Sequence, residues 1–199
     1  MNVFYISNNA TECAQMHVDK HVLKQVVEYS QILSTAHRVL DGVEYIDASS
    51  GRKIKRWKLG GSYEDILYKA THQNHPSTVW ARQSYDNYIW LHSLTEALCK
   101  EYTYRYGKVH KCEYSRLLDT LSYAPINIPV KVFTEPTPAM PDKYVVKGDS
   151  IQSYRKYYNE GKRHLFSWKN RPTPDFITPE ISDESNSPNI TSSSVVSLV

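Results

Sequence analysis

The sequence predicts a mainly α protein, a compact single domain of three to five helices with a small β-hairpin and a disordered C-terminal tail. The longest signal is residues 11–40, which contain no Gly or Pro and repeat apolar side chains at helical spacing. Strand-like runs are short and flank one turn, Ser49-Ser50-Gly51. Beyond about Thr178 the chain is rich in Ser, Asn, Asp and Glu. We therefore predict one globular domain at residues 1–176 and a tail at residues 177–199.

The first predicted elements are a short strand at residues 3–6 and the long helix at residues 11–40, which Asp41-Gly42 ends. At 100° per residue, the apolar side chains of this helix occupy one sector about 120° wide. That sector predicts the face that packs into the core: Val18, Val22, Val26, Tyr29, Ile32, Leu33, Ala36 and Leu40.

Turn signals separate the remaining elements. Gly107 marks the end of a second long helix, since Gly commonly follows the last helical turn. Five prolines at residues 125–141 predict a rigid extended loop. The predicted order is a hairpin at 43–59 with a basic second arm, a short helix at 62–70, helices at 77–106 and 111–122, the proline loop, and a helix at 151–163 capped by Asp149 or Ser150.

Composition narrows the class of protein. The 199 residues suffice for a folded core without disulfide or metal support. No apolar run is long enough to span a membrane, and no secretory leader is recognisable. The three cysteines form neither a disulfide framework nor a metal knuckle. We predict a cytoplasmic protein with reduced thiols, no membrane contact, no cofactor and no bound metal, and leave its oligomeric state open.

Charge and aromatic content point to a polyanionic partner. Ahead of Asp175 the chain carries 24 basic and 17 acidic residues, and the whole chain holds 16 tyrosines against four phenylalanines. Basic surface with aromatic side chains that keep a polar end suits nucleic acid. DNA is therefore the first candidate partner.

A polar stripe on the first long helix is the sharpest functional pattern. Its residues are spaced alternately by four and three, which aligns them beside the apolar face. Imidazole, amine and carboxylate groups on one stripe can transfer protons, bind phosphate or attack carbon. The alternatives are a solvated face with a simple ion pair, or two histidines at metal-ligand spacing. The stripe comprises His17, His21, Lys24, Glu28, Gln31, Thr35 and Arg38, and the candidate catalytic residues are His17, Lys20, His21, Lys24 and Glu28.

Two further segments are candidate nucleic-acid contacts. Asn74-His75-Pro76 precedes a helix start, where free backbone N–H groups attract phosphate, and Arg82 follows. The second segment interleaves basic and aromatic side chains, a pattern suited to phosphates and unstacked bases. Burial in the core is the alternative for its aromatic residues. Its candidates are Tyr154, Arg155, Lys156, Tyr157, Tyr158 and Lys162.

In this order, the segments resemble the phage pyrimidine-dimer DNA glycosylase/AP-lyase family, the small ultraviolet-repair endonucleases. That family has a long helix reading roughly Leu-Ala-Asp-Gln-His, followed by Arg, Glu and Arg. The run at residues 13–17, followed by Asp19, Lys20, His21 and Lys24, is similar. The family's later helix begins near a His-containing turn, like His75, and its Trp-Tyr-Lys-Tyr-Tyr-Gly-Lys tail is similar to residues 154–162. The resemblance implies a compact α domain that removes a damaged or modified base from DNA.

The chain departs from the family at the reacting groups. The family attacks the sugar C1′ with the α-amine of a Thr exposed by Met removal, assisted by an acidic residue on the first helix. Here the chain reads Met1-Asn2, and neither Asp19 nor Glu28 falls on the expected position. Lys20 or Lys24 is an alternative Schiff-base residue.

Two other functions stay open. One is a non-catalytic protein that binds nucleic acid or a host partner, with structural histidines. The other is an enzyme acting on a small nucleotide, in which the stripe binds one phosphate and one base.

Overall fold

The structure, a computed structural model, describes residues 1–179. Within that range it contains eight α-helices and one two-stranded antiparallel hairpin, which confirms the mainly α prediction. The helices outnumber the predicted three to five because most are one or two turns long; only α2, α5 and α8 are longer than that. The elements are α1 Ala10–Met16, α2 Asp19–Asp41, β1 Val43–Asp47, β2 Ile54–Lys58, α3 Tyr63–Ile66, α4 Pro76–Ala81, α5 Tyr85–Tyr106, α6 Lys111–Tyr114, α7 Leu117–Leu121 and α8 Ser150–Gly161, with 3-10 turns at Asp142–Tyr144 and Arg163–Leu165.

The core forms between α2, α5 and the N-terminal segment. The predicted apolar face of α2 is buried, apart from the partly exposed Leu40. Residues 3–6 are buried but pair with no strand of the described chain, and the chain bends at Ile6, so the predicted strand is wrong. Buried backbone polar groups that do not pair with a strand need other hydrogen-bond partners. Here the Phe4 N–H donates to the Tyr29 hydroxyl at 3.0 Å. No helix within residues 1–179 is both long and apolar enough to cross a membrane.

The predicted single helix at residues 11–40 is wrong, because the chain breaks at His17 and Val18, which are extended. Arg105 of α5 holds this break. Its guanidinium donates to the carbonyls of Gln15 and His17, each at 2.9 Å, and pairs with Asp19 at 2.8 Å. A buried arginine needs several acceptors, and only an interrupted helix frees these carbonyls to serve.

Two other predicted helices also divide. The helix at 77–106 breaks into α4 and α5, and Ser84 caps α5 by accepting from the Asp86 N–H at 3.2 Å. The helix at 111–122 breaks at Arg116, whose φ of 63° lies in the left-handed region. By contrast, the stop at Gly107, with φ 65°, and the hairpin are confirmed.

The C-terminal part of the described chain packs against α8. Asp149 caps this helix through the Gln152 N–H at 2.8 Å, as predicted. Thr178 donates its N–H to Asn159 Oδ1 at 2.8 Å, so the chain is still hydrogen-bonded to α8 at this residue. The rest of the predicted tail lies outside the described residues.

Candidate active site

The N-terminal α-amine lies beside Glu28 of α2. The Met1 nitrogen is 3.8 Å from Glu28 Oε2, and Lys24 Nζ is 3.1 Å from Glu28 Oε1. The Glu28 side chain is only 14% exposed, whereas that of Lys24 is 69% exposed. One shielded carboxylate therefore bridges two amines, of which the α-amine is the more enclosed.

Packing of the N-terminal segment explains this position. The Phe4 ring stacks on the His21 ring with centroids 4.1 Å apart, which fixes Phe4 near the start of α2. Glu28 lies seven helical residues further on, roughly 10 Å along the axis. Three extended residues span about the same distance. The segment from Phe4 back to Met1 therefore runs along α2 and delivers the amine to Glu28.

His75 is the next group at this site. Its Nδ1 caps α4 by accepting the Ser77 N–H at 3.2 Å, so the neutral ring carries its proton on Nε2. Partial burial lowers the pKa of His75, the charge of the Met1 amine lowers it further, and the Glu28 carboxylate opposes both effects. His75 therefore lies within electrostatic reach of the amine and the carboxylate.

The other residues predicted around His75 have different roles. Arg82 donates from Nη1 to the Gln73 carbonyl at 2.7 Å, so it holds the loop that precedes His75. Asn74 is exposed next to His75. Of these residues, Asn74 remains available to a ligand, while Arg82 is committed to the loop.

His17 and His21 do not join this site, because both rings are buried in the core. His17 Nδ1 donates to the Cys13 carbonyl at 2.6 Å, and His21 Nδ1 and the Tyr158 hydroxyl form a 2.7 Å hydrogen bond. Burial lowers the pKa of His17 to about 4, and that of His21 further, with the His17, Lys162 and Lys24 charges acting in the same direction. Both rings are therefore neutral packing groups near neutral pH.

Most of the basic and aromatic segment at 154–162 is also structural. Tyr154 and Tyr158 are fully buried, and Arg155 donates from Nε to the Ile6 carbonyl at 3.0 Å. Lys156 is exposed, and Lys162 Nζ lies 4.9 Å from the half-buried Tyr157 ring. Tyr154 and Tyr158 thus follow the alternative of burial in the core, Arg155 binds the N-terminal segment, and the other three residues stay candidates for ligand contact.

The α-amine was missed from the sequence because no side-chain pattern reveals where a chain terminus packs. The sequence holds a weaker indication that Glu28 is the relevant carboxylate: Asp19-Lys20-His21 begins α2 and is similar to the Asp-Gln-His of the family helix, and Glu28 follows His21 by seven residues. The exposed Lys20 lies on the first turn, away from Glu28. In the described part of the chain, no three His, Cys, Asp or Glu side chains cluster as metal ligands would.

Comparison with known proteins identifies the family. A family model described as pyrimidine dimer DNA glycosylase matches residues 1–114, more than half of the chain. The match includes Met1, Lys24, Glu28 and His75 and ends with α6, so α8 lies outside it. Searches of the curated proteins and of the solved structures gave no match. The chain belongs to the pyrimidine dimer DNA glycosylase family.

Proposed function

We propose that this protein is a DNA glycosylase and AP lyase that acts on a damaged or modified base in duplex DNA. The observation that carries the proposal is the α-amine of Met1 held 3.8 Å from the shielded Glu28 carboxylate. An amine beside a carboxylate that can accept and return its proton is the pair required for imine chemistry at a sugar carbon.

The reaction begins with proton transfer from the α-ammonium group to Glu28. The neutral amine attacks C1′ of the target nucleotide, and the glycosidic bond breaks with its electron pair leaving on the base. Opening of the sugar ring gives an imine between C1′ and the nitrogen. Loss of a C2′ proton then expels the 3′ phosphate, and water hydrolyses the imine to restore the amine.

The α-amine is favoured over the lysines as the reacting group. A lysine amine becomes nucleophilic when burial or a neighbouring cation favours its neutral form. The Lys24 side chain shares the Glu28 carboxylate but is 69% exposed, and Lys20 is exposed, whereas the α-amine belongs to a residue whose side chain is only 6% exposed. We infer that Lys24 orients Glu28 and attracts the DNA backbone.

The groups around the amine suit DNA. The His75 Nε2–H is directed by the capping bond of its Nδ1, which leaves a donor for a phosphate or sugar oxygen. Asn74, Lys156 and Lys162 are the remaining candidate contacts to the backbone. Displacing the damaged nucleotide from the stack would bring its C1′ to the amine.

The register of the family resemblance also supports Glu28. In residues 13–17 the histidine lies at the helix break itself, but Asp19-Lys20-His21 lies on α2. With that run placed on Asp-Gln-His, Lys24 and Glu28 follow as the basic and acidic residues. We therefore assign Glu28 the role of the family's helical carboxylate.

Borohydride trapping tests this function. The protein is incubated with duplexes that contain an abasic site or a pyrimidine dimer, and borohydride reduces any imine to a stable amine. We expect a covalent protein–DNA adduct and strand nicking. Folded protein that binds both duplexes without adduct or nick would support a binding protein instead, and stabilisation by a mononucleotide alone would support the small-nucleotide enzyme.

A further inference from the structure

The hairpin β1–β2 projects from the end of α2 and is exposed on both faces. Val43 is 75% and Ile46 57% exposed, and the turn residues are exposed as well. Its base is fixed where Trp57 is buried and the Trp57 carbonyl accepts from Arg38 Nη1 at 2.9 Å. An isolated two-stranded ribbon gains little stability from its own packing. The exposed hairpin is therefore a candidate surface for binding a partner.

The charge on the ribbon defines the kind of partner. Residues 43–58 contain five basic side chains and two carboxylates. Both carboxylates are engaged across the strands, with Glu44 at 2.6 Å from Lys55 and Asp47 at 3.9 Å from Arg56. The ion pairs found among residues 1–179 include none of the three other cations, which are all exposed: Arg52, Lys53 and Lys58.

The chain that links the hairpin to the candidate active site follows α2. Next to the hairpin base, the Tyr68 carbonyl accepts from Arg38 Nε at 2.6 Å. Further along, the Thr71 N–H donates to Thr35 Oγ1 at 3.1 Å, and the segment ends at His75, whose pKa responds to the charges of the α-amine and Glu28. The hairpin and the candidate active site therefore lie on one side of α2, and the segment that joins them is hydrogen-bonded to α2.

Lys69 continues the positive charge along this segment. Its side chain is exposed, and together with Arg56 it helps to lower the pKa of Asp47 in the hairpin, after the hydrogen bonds from Ser49. Lys69 thus adds one exposed cation near the hairpin, on the segment that leads to His75. A group of exposed cations attracts a DNA backbone.

We propose that the hairpin binds the phosphate backbone of duplex DNA at a distance from the reacting nucleotide, through Arg52, Lys53 and Lys58. From Glu28 to the end of α2 the helix rises roughly 20 Å. For DNA lying along α2, that distance corresponds to about six base pairs. This inference rests on the proposed function, because it assumes that DNA occupies the site at Glu28.

Binding of duplexes that cannot react tests this proposal without requiring chemistry. The variant Arg52→Gln/Lys53→Gln is compared with Lys100→Gln/Lys108→Gln, which removes two exposed charges on and after α5, the helix whose Arg105 contacts Asp19 at the other end of α2. Each protein is titrated with an undamaged duplex of about 24 base pairs and with one of about 8 that carries a reduced abasic site at its centre, over a range of salt concentrations. The reduced abasic site cannot form an imine and anchors the short duplex at the candidate active site, so only about four base pairs extend towards the hairpin, fewer than the six-base-pair spacing.

We expect the hairpin variant to bind the long duplex more weakly, with the slope of log affinity against log salt reduced by about two, because two phosphate contacts are lost. The short duplex and the control variant should show the wild-type slope. If the hairpin variant keeps the wild-type slope on the long duplex while the wild type binds it, the proposal is wrong but the proposed function survives, and the ribbon serves another partner such as a protein. If the wild type binds neither duplex, both fail together.

Discussion

The polar stripe of the first long helical stretch behaves differently along its length. Near the start, His17 and His21 are buried, hydrogen-bonded and neutral. One to two turns later, Glu28 faces the α-amine and Lys24 reaches solvent. The residue types and their spacing predict a functional role equally well for the histidine part and for the Lys24–Glu28 part of the stripe. The difference is the covering chain: Phe4 and α8 pack on the first part, whereas the N-terminal amine lies against the second part.

The comparison separates packing from chemistry. Substitutions near the start of the stripe should cost stability and leave the reaction intact in folded molecules. Substitutions around Glu28 should cost the reaction and leave stability nearly unchanged. Each prediction below would break or sharpen that division.

The largest effect is expected for Glu28→Gln, which keeps the shape of the side chain but removes the group that accepts the amine proton. Loss of a general acid–base group lowers rates by about 10²- to 10⁴-fold. We expect single-turnover nicking of an abasic duplex to slow by about 10³-fold with a nearly unchanged melting temperature. Glu96→Gln, at an exposed carboxylate paired with Lys100, is the matched control and should react like the wild type.

Acid should destabilise the protein through its buried histidines. Burial lowers the pKa of His17 and that of His37 from 6.5 to about 4. The unfolded chain therefore takes up protons that the folded chain refuses, so stability is complete above about pH 6.5 and falls towards pH 4. Burial lowers the pKa of His21 further still, and three such groups give a slope of about 4 kcal/mol per pH unit.

Urea unfolding between pH 7 and pH 4.5 measures this slope. The variant His37→Gln retains a side chain that can bond to the Tyr88 hydroxyl, and it should lose about a third of the slope. A slope that is unchanged in this variant, or absent in the wild type, would show that these rings are not held neutral.

The His21–Tyr158 hydrogen bond should contribute to stability alone. His21→Phe leaves a buried Tyr158 hydroxyl without its partner, which costs about 1–3 kcal/mol. The double variant His21→Phe/Tyr158→Phe removes both partners and should recover most of that loss in urea unfolding. Nicking by the folded His21→Phe protein should match the wild type, and a large rate loss would return His21 to the catalytic group.

The smallest effect is expected for His75→Asn. Asn is also a good helix cap, so the start of α4 should survive while the Nε2–H donor disappears. We expect a melting temperature close to that of the wild type and about tenfold weaker binding to an abasic duplex, the value of one lost hydrogen bond to a charged group. Equal binding by the two proteins would limit His75 to its capping role.

Local rules predicted much of this fold because they depend on neighbouring residues only. The apolar face of α2, the hairpin, the stop at Gly107 and the cap at Asp149 are all of this kind. The break at His17 and Val18 was not predictable from spacing, because Arg105, far along the chain, holds it. Long-range hydrogen bonds of this kind override a helical pattern.

The candidate site was predictable only in part for the same reason. Lys24, Glu28 and His75 were recognised as polar groups on suitable elements. Their association with the α-amine depends on how residues 1–4 pack along α2. The spacing of apolar and polar residues in the sequence does not predict that packing. The same packing buries His17 and His21 and so removes the two residues that the pattern favoured most.

The location of the trapped adduct tests the central claim most directly. After borohydride reduction on an abasic duplex, trypsin releases residues 1–20 as the first peptide, since Lys20 is the first basic cleavage site. An intact mass of the free protein shows which residue carries the α-amine. We predict that the sugar remnant is attached to the α-amine of that first peptide, with cleavage after Lys20 and Lys24 unimpaired. A remnant on Lys20 or Lys24, seen as a missed cleavage there, would contradict the account and place the chemistry on the helix.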